Sequence, residues 1–397
     1  MRTSTEVDNV HSEVISLAGL SCPYSPIDHE FVDRSVGDYA AEYAELFLER
    51  FSPALRNSGQ GLTAMIGRWV TNPNATFDDA WSEAHAEVRR AVLARRNVQF
   101  DPAQAAVSLA MHLHACGHAG SWDVRLREPA SIRLGRMLLP PSREIRVNGD
   151  GQQLEMELRE SASAERTLLT LHNDDWSGDI HACRQLGKFR AGSQDIVFLP
   201  RSPSDADDRR VSLIAMIAAC ESAGAVLQEF APPFLPWITK VLRGISPIDG
   251  SDGLLRSYSD QDKPGTIGVS FPASEFAIAE MFVHEASHQY VHIATRIGPI
   301  VDGSDRSMYF SPVKGTERPI SAILLAFHAF ANVVLFYESC IRHGAGSEHY
   351  CRQNIDRHSE ELKTLLRHLR ATTALTDIGT SLIEPVLDFL NRHISLA

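Results

Sequence analysis

The first third of the chain repeats apolar residues with the period of an α-helix. Tyr39, Tyr43 and Phe47 recur at intervals of four residues, which places them on one face of a helix. A later helix is predicted to begin at Asp101, an acidic N-cap that is followed by proline at the first helical position. The pattern therefore predicts a helical N-terminal region, which we assign to residues 1–125.

Residues 126–205 change to the two-residue alternation of β-strands. The segment Ile145-Arg146-Val147 runs into Asn148-Gly149-Asp150-Gly151, a strong hairpin signal, and apolar residues alternate at 154, 156 and 158. Further short apolar runs occur at 168–171 and 196–199. We predict a β-rich middle unit over residues 126–205.

From residue 206 to 397 the apolar spacing is again helical. A short extended segment, Thr266 to Phe271, precedes a helix for which Ser274 is the predicted N-cap. The whole pattern predicts an α+β fold that is mainly helical, with a helical C-terminal region that carries the candidate chemistry.

The segment Ile320 to Tyr337 is almost entirely apolar and is near the length that a bilayer requires. Charged residues stand at both of its ends: Glu317 and Arg318 before it and Glu338 after it. A flanked apolar helix of this kind is more often the core helix of a soluble protein. We therefore expect a buried helix and no membrane span.

Charge and cysteine usage restrict the function classes. The chain has 397 residues and a formal net charge of -12, which disfavours non-specific nucleic-acid binding because phosphate contacts need a basic face. None of the six cysteines forms a Cys-x-x-Cys pair, and residues 1–20 lack a basic segment followed by an apolar run. We expect a cytoplasmic protein with reduced thiols.

The strongest chemical motif is the segment His284-Glu285-Ala286-Ser287-His288. Two histidines four residues apart on a helix project from the same face and can bind one cation. Glu285 lies on a neighbouring face, where it could act as a general base or orient a ligand. The segment predicts a metal site.

Two further residues continue the same helical face. Glu280 precedes His284 by four residues, and His292 follows His288 by four. His292 could be a ligand or a residue that supports one, but we favour a histidine at the rim of the site. A denser group at 112–118, with three histidines and one cysteine, has a spacing of two that spreads its members around a helix. We interpret that group as incidental.

A third metal ligand is expected from the apolar helix. His328 and Glu338 both lie on or beside its buried face, but they are roughly 15 Å apart along a helix, so only one can serve. A buried imidazole needs a polar partner, and the two-histidine site supplies one. We favour His328 over Glu338.

The order of motifs in this region resembles a known family. The helix that carries His284 and His288 is called the metal helix. After it come Tyr309-Phe310-Ser311-Pro312, then Arg318-Pro319-Ile320, and then Phe327-His328-Ala329-Phe330, with Pro264-Gly265-Thr266-Ile267 upstream. This arrangement, over residues 255–340, resembles the HExxH-motif peptide-modification proteins, which are iron- and 2-oxoglutarate-dependent peptide β-hydroxylases. The family usually has an aromatic residue after Ser-Pro, where this chain has Val313.

The resemblance implies a function and a set of site residues. His284, His288 and His328 would bind Fe(II), and the substrates would be molecular oxygen, 2-oxoglutarate and a residue of a ribosomally made precursor peptide. The far carboxylate of 2-oxoglutarate needs a cation, for which Arg318 is the first candidate. Arg318 could equally be a surface residue paired with Glu317. Weaker candidates for the same pocket are Tyr309, Ser311 and Lys314.

Two other functions remain open on the sequence. A zinc metallopeptidase would use Glu285 as general base and Glu338 as third ligand. A peptide-binding scaffold with a structural metal would have a closed site of four ligands, for which His292 is one candidate, and would show no turnover.

Overall fold

The protein is described by a computed structural model. The structure describes the following residues: 17–72, 76–94, 101–135, 137–161, 166–172, 184–192, 194–199, 210–345 and 347–393. It is a mixed α+β fold with N-terminal helices, a β-rich middle and a helical C-terminal region, so the predicted fold class is confirmed.

The helices are numbered in chain order. They are α1 His29–Ser58, α2 Leu62–Val70, α3 Phe77–Ala80, α4 Glu83–Leu93, α5 Pro102–Ala115, α6 Arg210–Phe230, α7 Phe234–Val241, α8 Glu275–Ile297, α9 Ile320–Arg342, α10 Glu348–Ala371 and α11 Asp377–His393.

The strands are numbered in the same way. They are β1 Gly59–Gln60, β2 Gly120–Ala130, β3 Arg133–Leu134, β4 Met137–Leu138, β5 Ser142–Gly149, β6 Gln153–Arg159, β7 Thr167–His172, β8 Arg184–Gln185, β9 Lys188–Ala191, β10 Gln194–Phe198, β11 Gly244–Asp249, β12 Ser257–Ser259, β13 Thr266–Phe271, β14 Met308–Ser311 and β15 Thr316–Pro319.

The elements group into two compact units. One unit consists of residues 33–187 and 262–265, and the other of residues 1–32, 188–261 and 266–397. The division into 1–125, 126–205 and 206–397 stays a prediction, because grouping by packing does not show which segments fold independently.

The unit of residues 33–187 contains an antiparallel sheet in the order β1-β2-β5-β6-β7. The predicted hairpin joins β5 to β6. Its turn is fixed by Asp150, whose carboxylate accepts hydrogen bonds from the backbone N–H groups of Gln152 and Gln153. Gly151 has a φ of 94°, and a Cβ there would lie 2.7 Å from the carbonyl oxygen of Gly117, so only glycine fits.

A histidine connects helix α5 to this sheet. The Nδ1–H of His114 donates to the carbonyl oxygen of His118 (2.9 Å), and its Nε2 accepts from the indole N–H of Trp122 (3.0 Å). Burial lowers the pKa of His114 to about 4, so the ring is neutral near pH 7. Both ring nitrogens of His114 are engaged within the fold, and the interpretation of the group at 112–118 as incidental stays a prediction.

The second unit is built on a mixed sheet in the order β12-β13-β11-β10-β9. Strands β10, β11 and β13 run parallel, and the two edge strands β9 and β12 are antiparallel to their neighbours. Every residue of β13 is buried, as expected for a strand covered on both faces.

Helices α8 and α9 pack against each other in this unit, and α10 and α11 also pack on α9. Helix α9 is long and apolar enough to cross a membrane, but 78% of its apolar window is buried inside the protein, so the predicted core helix is confirmed. The segment Leu213–Phe230 of α6 passes the same test of length and composition, with 33% of its window buried.

Candidate metal centre

Helix α8 presents the predicted histidines as the sequence indicated. The hydroxyl of Ser274 accepts a hydrogen bond from the backbone N–H of Ala277 and caps the helix, which continues to Ile297. One turn separates His284 from His288, and their ring centroids lie 4.6 Å apart at an interplanar angle of 85°. The two imidazoles therefore border one small space.

Glu285 joins these two histidines. One ligand atom from each of His284, Glu285 and His288 can be chosen so that all three lie within 4.8 Å of one another. The Nε2 of His284 is 4.0 Å from the Oε1 of Glu285. Two imidazoles and one carboxylate form a donor set that binds zinc or non-haem iron.

The protonation states suit a metal. Burial lowers the pKa of His284 to about 4 and that of His288 well below its ordinary value, so both rings are neutral near pH 7 and each keeps a lone pair. Burial also raises the pKa of Glu285 to about 7, and the Lys314 charge and the nearby hydroxyls of Ser257 and Ser259 oppose that shift.

Unpartnered buried atoms provide a separate test of metal fit. The Oε2 of Glu285 and the Nδ1 of His288 are buried and make no hydrogen bond, and the same is true of the Nε2 of His292. Buried polar atoms without a partner are costly, and a bound ion can satisfy them. The three-residue group therefore fits a metal ion. His292 adds an unpartnered atom one turn further along α8, and its role as ligand or rim residue stays open.

His328 lies on α9 and is fully buried. Its Nε2–H donates to the carbonyl oxygen of Leu20 (3.1 Å), which leaves Nδ1 as the acceptor nitrogen; Nδ1 makes no hydrogen bond of ordinary geometry, and the backbone of Ser21 and Ser287 also lies close to the ring. A histidine that donates one N–H to a carbonyl and keeps its other nitrogen free has the usual arrangement of a metal-binding histidine.

His328 is nevertheless outside the group formed by His284, Glu285 and His288. A proton on His328 would lower the pKa of His288 by charge repulsion, which means that the two rings are neighbours. The assignment of His328 as third ligand stays a prediction. Glu338 is also outside this group and is half-buried, and its assignment is likewise a prediction.

A second polar network adjoins the site. Glu280 accepts a hydrogen bond from the hydroxyl of Tyr337, and its Oε1 is 3.6 Å from the Nε2 of His358. Burial works against ionisation, but these hydrogen bonds hold the pKa of Glu280 below its ordinary value. The ring of Phe330 lies between His284 and His358, with centroids 4.9 Å and 4.8 Å away.

Sequence reasoning placed Glu280 on the same helical face as His284 but missed Tyr337 and His358. Helical spacing relates Glu280 to the metal helix, whereas His358 comes from α10, 78 residues further along the chain (358 − 280). No local pattern marks a contact between helices at that separation.

The predicted co-substrate residues lie on the hairpin of β14 and β15. Lys314 lies in the turn of this hairpin. It is near enough for its charge to lower the pKa values of His284, His288 and Glu285. Ser311 is buried at the end of β14.

Tyr309 and Arg318 face each other across the same hairpin. They form a cross-strand pair, so their side chains share one face. The Tyr309 hydroxyl donates to Asp305 (2.5 Å), its ring packs on His368, and Arg318 is exposed. The structure thus relates Lys314 to the imidazoles, and the co-substrate roles of Arg318, Tyr309 and Ser311 stay predictions.

Strand β12 borders the site from the sheet. Ser257 and Ser259 are two residues apart, so their side chains share one face of the strand, and both lie near Glu285. The Oγ of Ser259 makes no hydrogen bond of ordinary geometry. Sequence reasoning missed both serines, because a strand of three residues leaves almost no periodic signal.

Comparison with known proteins does not name a family. No protein-family model matches the chain, and no curated protein matches it significantly. The family resemblance is therefore supported at a coarser level, by a partly buried His-Glu-His group with the composition of a metal site.

Proposed function

We propose that this protein is an Fe(II)- and 2-oxoglutarate-dependent dioxygenase that β-hydroxylates a residue of a ribosomally made precursor peptide. The observation that carries the proposal is the group of His284, Glu285 and His288, whose ligand atoms converge and include buried atoms without partners. The order of motifs over residues 255–340 supplies the link to peptide hydroxylation.

The metal would be held from α8 by His284 and His288. The third ligand is either Glu285, which gives the two-histidine-one-carboxylate set of non-haem iron oxygenases, or His328, which gives the three-histidine set implied by the family resemblance. Either set leaves positions open for a co-substrate. When bound, iron and 2-oxoglutarate supply the activation of oxygen that inserts one oxygen atom into a C–H bond.

The protein's own residues would orient the co-substrate and the metal ligands. Lys314 is a cation whose charge acts on His284, His288 and Glu285, and it supports binding of a carboxylate. Arg318 offers a bidentate alternative on the same hairpin. The ring of Phe330 packs against His284 and would limit its rotation, and the charge of Glu280 acts on the same imidazole.

Reduced thiols support a cytoplasmic setting. The cysteines in the described part of the chain, namely Cys22, Cys116, Cys220, Cys340 and Cys351, form no disulfide there, and Cys183 lies outside it. An intracellular enzyme that keeps iron in its ferrous form fits this chemistry.

A zinc metallopeptidase is the second candidate, and one observation favours it. Glu285 has a pKa raised to about 7 by burial and lies beside both imidazoles, which suits a general base for a metal-activated water. That function would take Glu338 as its third ligand.

The two functions are separated by metal content and peptide mass. The protein is purified without oxygen, its metal is measured, and it is then incubated with synthetic peptides and oxygen, with and without 2-oxoglutarate. Hydroxylation predicts iron and a gain of one oxygen atom only when 2-oxoglutarate is present. Peptide cleavage that needs zinc and is lost in Glu285→Gln would instead establish the peptidase.

A further inference from the structure

Strand β12 has an open edge beside the metal centre. In the described part of the chain its one strand neighbour is β13, and it stands at the end of the sheet. Helix α8, which carries the metal ligands, packs directly against it. Any chain that paired with this edge would lie beside the strand whose serines are near Glu285.

The direction of the main-chain groups follows from the ladder. Ser270 N–H donates to the carbonyl oxygen of Arg256 (3.0 Å), so this pair belongs to the hydrogen-bonded set of an antiparallel ladder. Because such pairs alternate, Tyr258 also directs its N–H and C=O towards β13, opposite Gly268. Ser257 and Ser259 therefore direct theirs to the open edge.

Successive side chains of β12 lie on opposite faces of the strand. Ser257 and Ser259 are on the face that meets Glu285, whereas Tyr258 is on the opposite face, where its ring covers the position at which Gly268 has no side chain. A chain paired with this edge would direct alternate side chains towards the metal centre and towards Tyr258.

Exposed apolar side chains occur on both elements that border the centre. Leu254 and Leu255, just before β12, are 58% and 54% exposed, and Tyr258 is 41% exposed. On the hairpin, Met308 and Phe310 are each 52% exposed. Exposed apolar residues of this size are available to contact a bound polypeptide.

We propose that the substrate polypeptide binds in an extended conformation by adding a strand to the open edge of β12, with main-chain hydrogen bonds to Ser257 and Ser259. This proposal rests on the proposed function, since it assumes a polypeptide substrate. The outward main-chain groups of the two serines lie about 7 Å apart along the strand, and an extended polypeptide repeats donors and acceptors at that spacing. A small co-substrate has no such repeat of donors and acceptors.

Binding is tested with fluorescein-labelled dodecapeptides and the full-length protein, with and without added Zn²⁺, by fluorescence anisotropy. The tightest peptide of a random set is then N-methylated at one backbone nitrogen at a time. Strand addition predicts about tenfold weaker binding at every second position and little change between them, because alternate N–H groups face β12.

A pair of variants tests the same edge from the side of the protein. Ser259→Pro removes the outward N–H and should weaken binding about tenfold, whereas Ser259→Ala removes only the hydroxyl and should bind within about twofold of the wild type. If Ser259→Pro fails to fold, the N-methyl scan on the wild-type protein still decides the question.

Four results would overturn the proposal: no peptide binds, N-methylation acts without a two-residue period, folded Ser259→Pro binds normally, or light scattering shows that a second copy of this chain occupies the edge. The proposed function is judged separately, by oxygen gain. A peptide that binds with the two-residue period but never gains oxygen supports the docking edge and contradicts the hydroxylase.

Discussion

Glu285→Gln should change stability in opposite directions in the metal-free and the metal-bound protein. The Glu285 side chain is 1% exposed, and its Oε2 has no hydrogen-bond partner. Without a metal, burial of this carboxyl group opposes folding, and the Ser257 and Ser259 hydroxyls and the Lys314 charge offset only part of that cost. The glutamine amide has nearly the same shape and carries no charge, so the substitution should relieve part of that cost.

The change in the free energy of unfolding has two parts, one from the buried carboxyl group and one from metal binding. An unsatisfied buried polar group costs about 1–3 kcal/mol, so the free energy of unfolding of the metal-free variant should rise by about 1–2 kcal/mol. With metal at about 100 times its dissociation constant, binding stabilises the wild type by about 2.7 kcal/mol. If the loss of Glu285 weakens metal binding 10- to 100-fold, the stabilisation by the same metal concentration falls to between about 1.4 and about 0.4 kcal/mol.

The assay is urea unfolding followed by circular dichroism, in the presence of a chelator and again with excess Zn²⁺. Glu360→Gln is the matched control, because Glu360 is 76% exposed on α10 and should change the free energy of unfolding by less than about 0.5 kcal/mol in both conditions. The reasoning is refuted if Glu285→Gln lowers stability equally with and without metal, since Glu285 would then be an ordinary structural residue.

Three further substitutions test separate parts of the account. His328→Ala should abolish iron binding if its free Nδ1 is the third donor, and full metal occupancy in that variant, measured by mass spectrometry, would exclude this role. Tyr337→Phe should lower the free energy of unfolding by about 1–3 kcal/mol, because Glu280 loses a buried donor; an unchanged urea midpoint would contradict this. The pKa of His114 is lowered to about 4, so its contribution is complete above pH 6.5 and is lost as the pH falls towards 4, by up to about 3 kcal/mol. His114→Gln should remove this acid sensitivity in unfolding curves at pH 7 and pH 5, and persistence of the sensitivity would assign it to other groups.

Much of the fold follows from local patterns in the sequence. Ser274 and Gly298 delimit the metal helix, and the run of Ile320 to Tyr337 is as buried as its composition predicts. The hairpin after Gly149 forms where the sequence places it. These features depend on neighbouring residues, so a single sequence contains enough information to predict them.

The surroundings of the centre could not be predicted in the same way. His358 reaches Glu280 from another helix, and Leu20 meets His328 across more than 300 residues. Such contacts depend on tertiary packing, for which the sequence offers no local signal. Ser257 on β12 was missed for a related reason, because the strand is too short to establish a period.

The central claim is that His284 and His288 bind one metal ion together. It is tested most directly by measuring metal content and affinity in anaerobically purified wild-type protein and in the variants His284→Ala and His288→Ala, with His349→Ala on α10 as the control. We expect one metal ion per chain in the wild type and the control, and almost none in either site variant. Equal metal content in all four proteins would contradict the account.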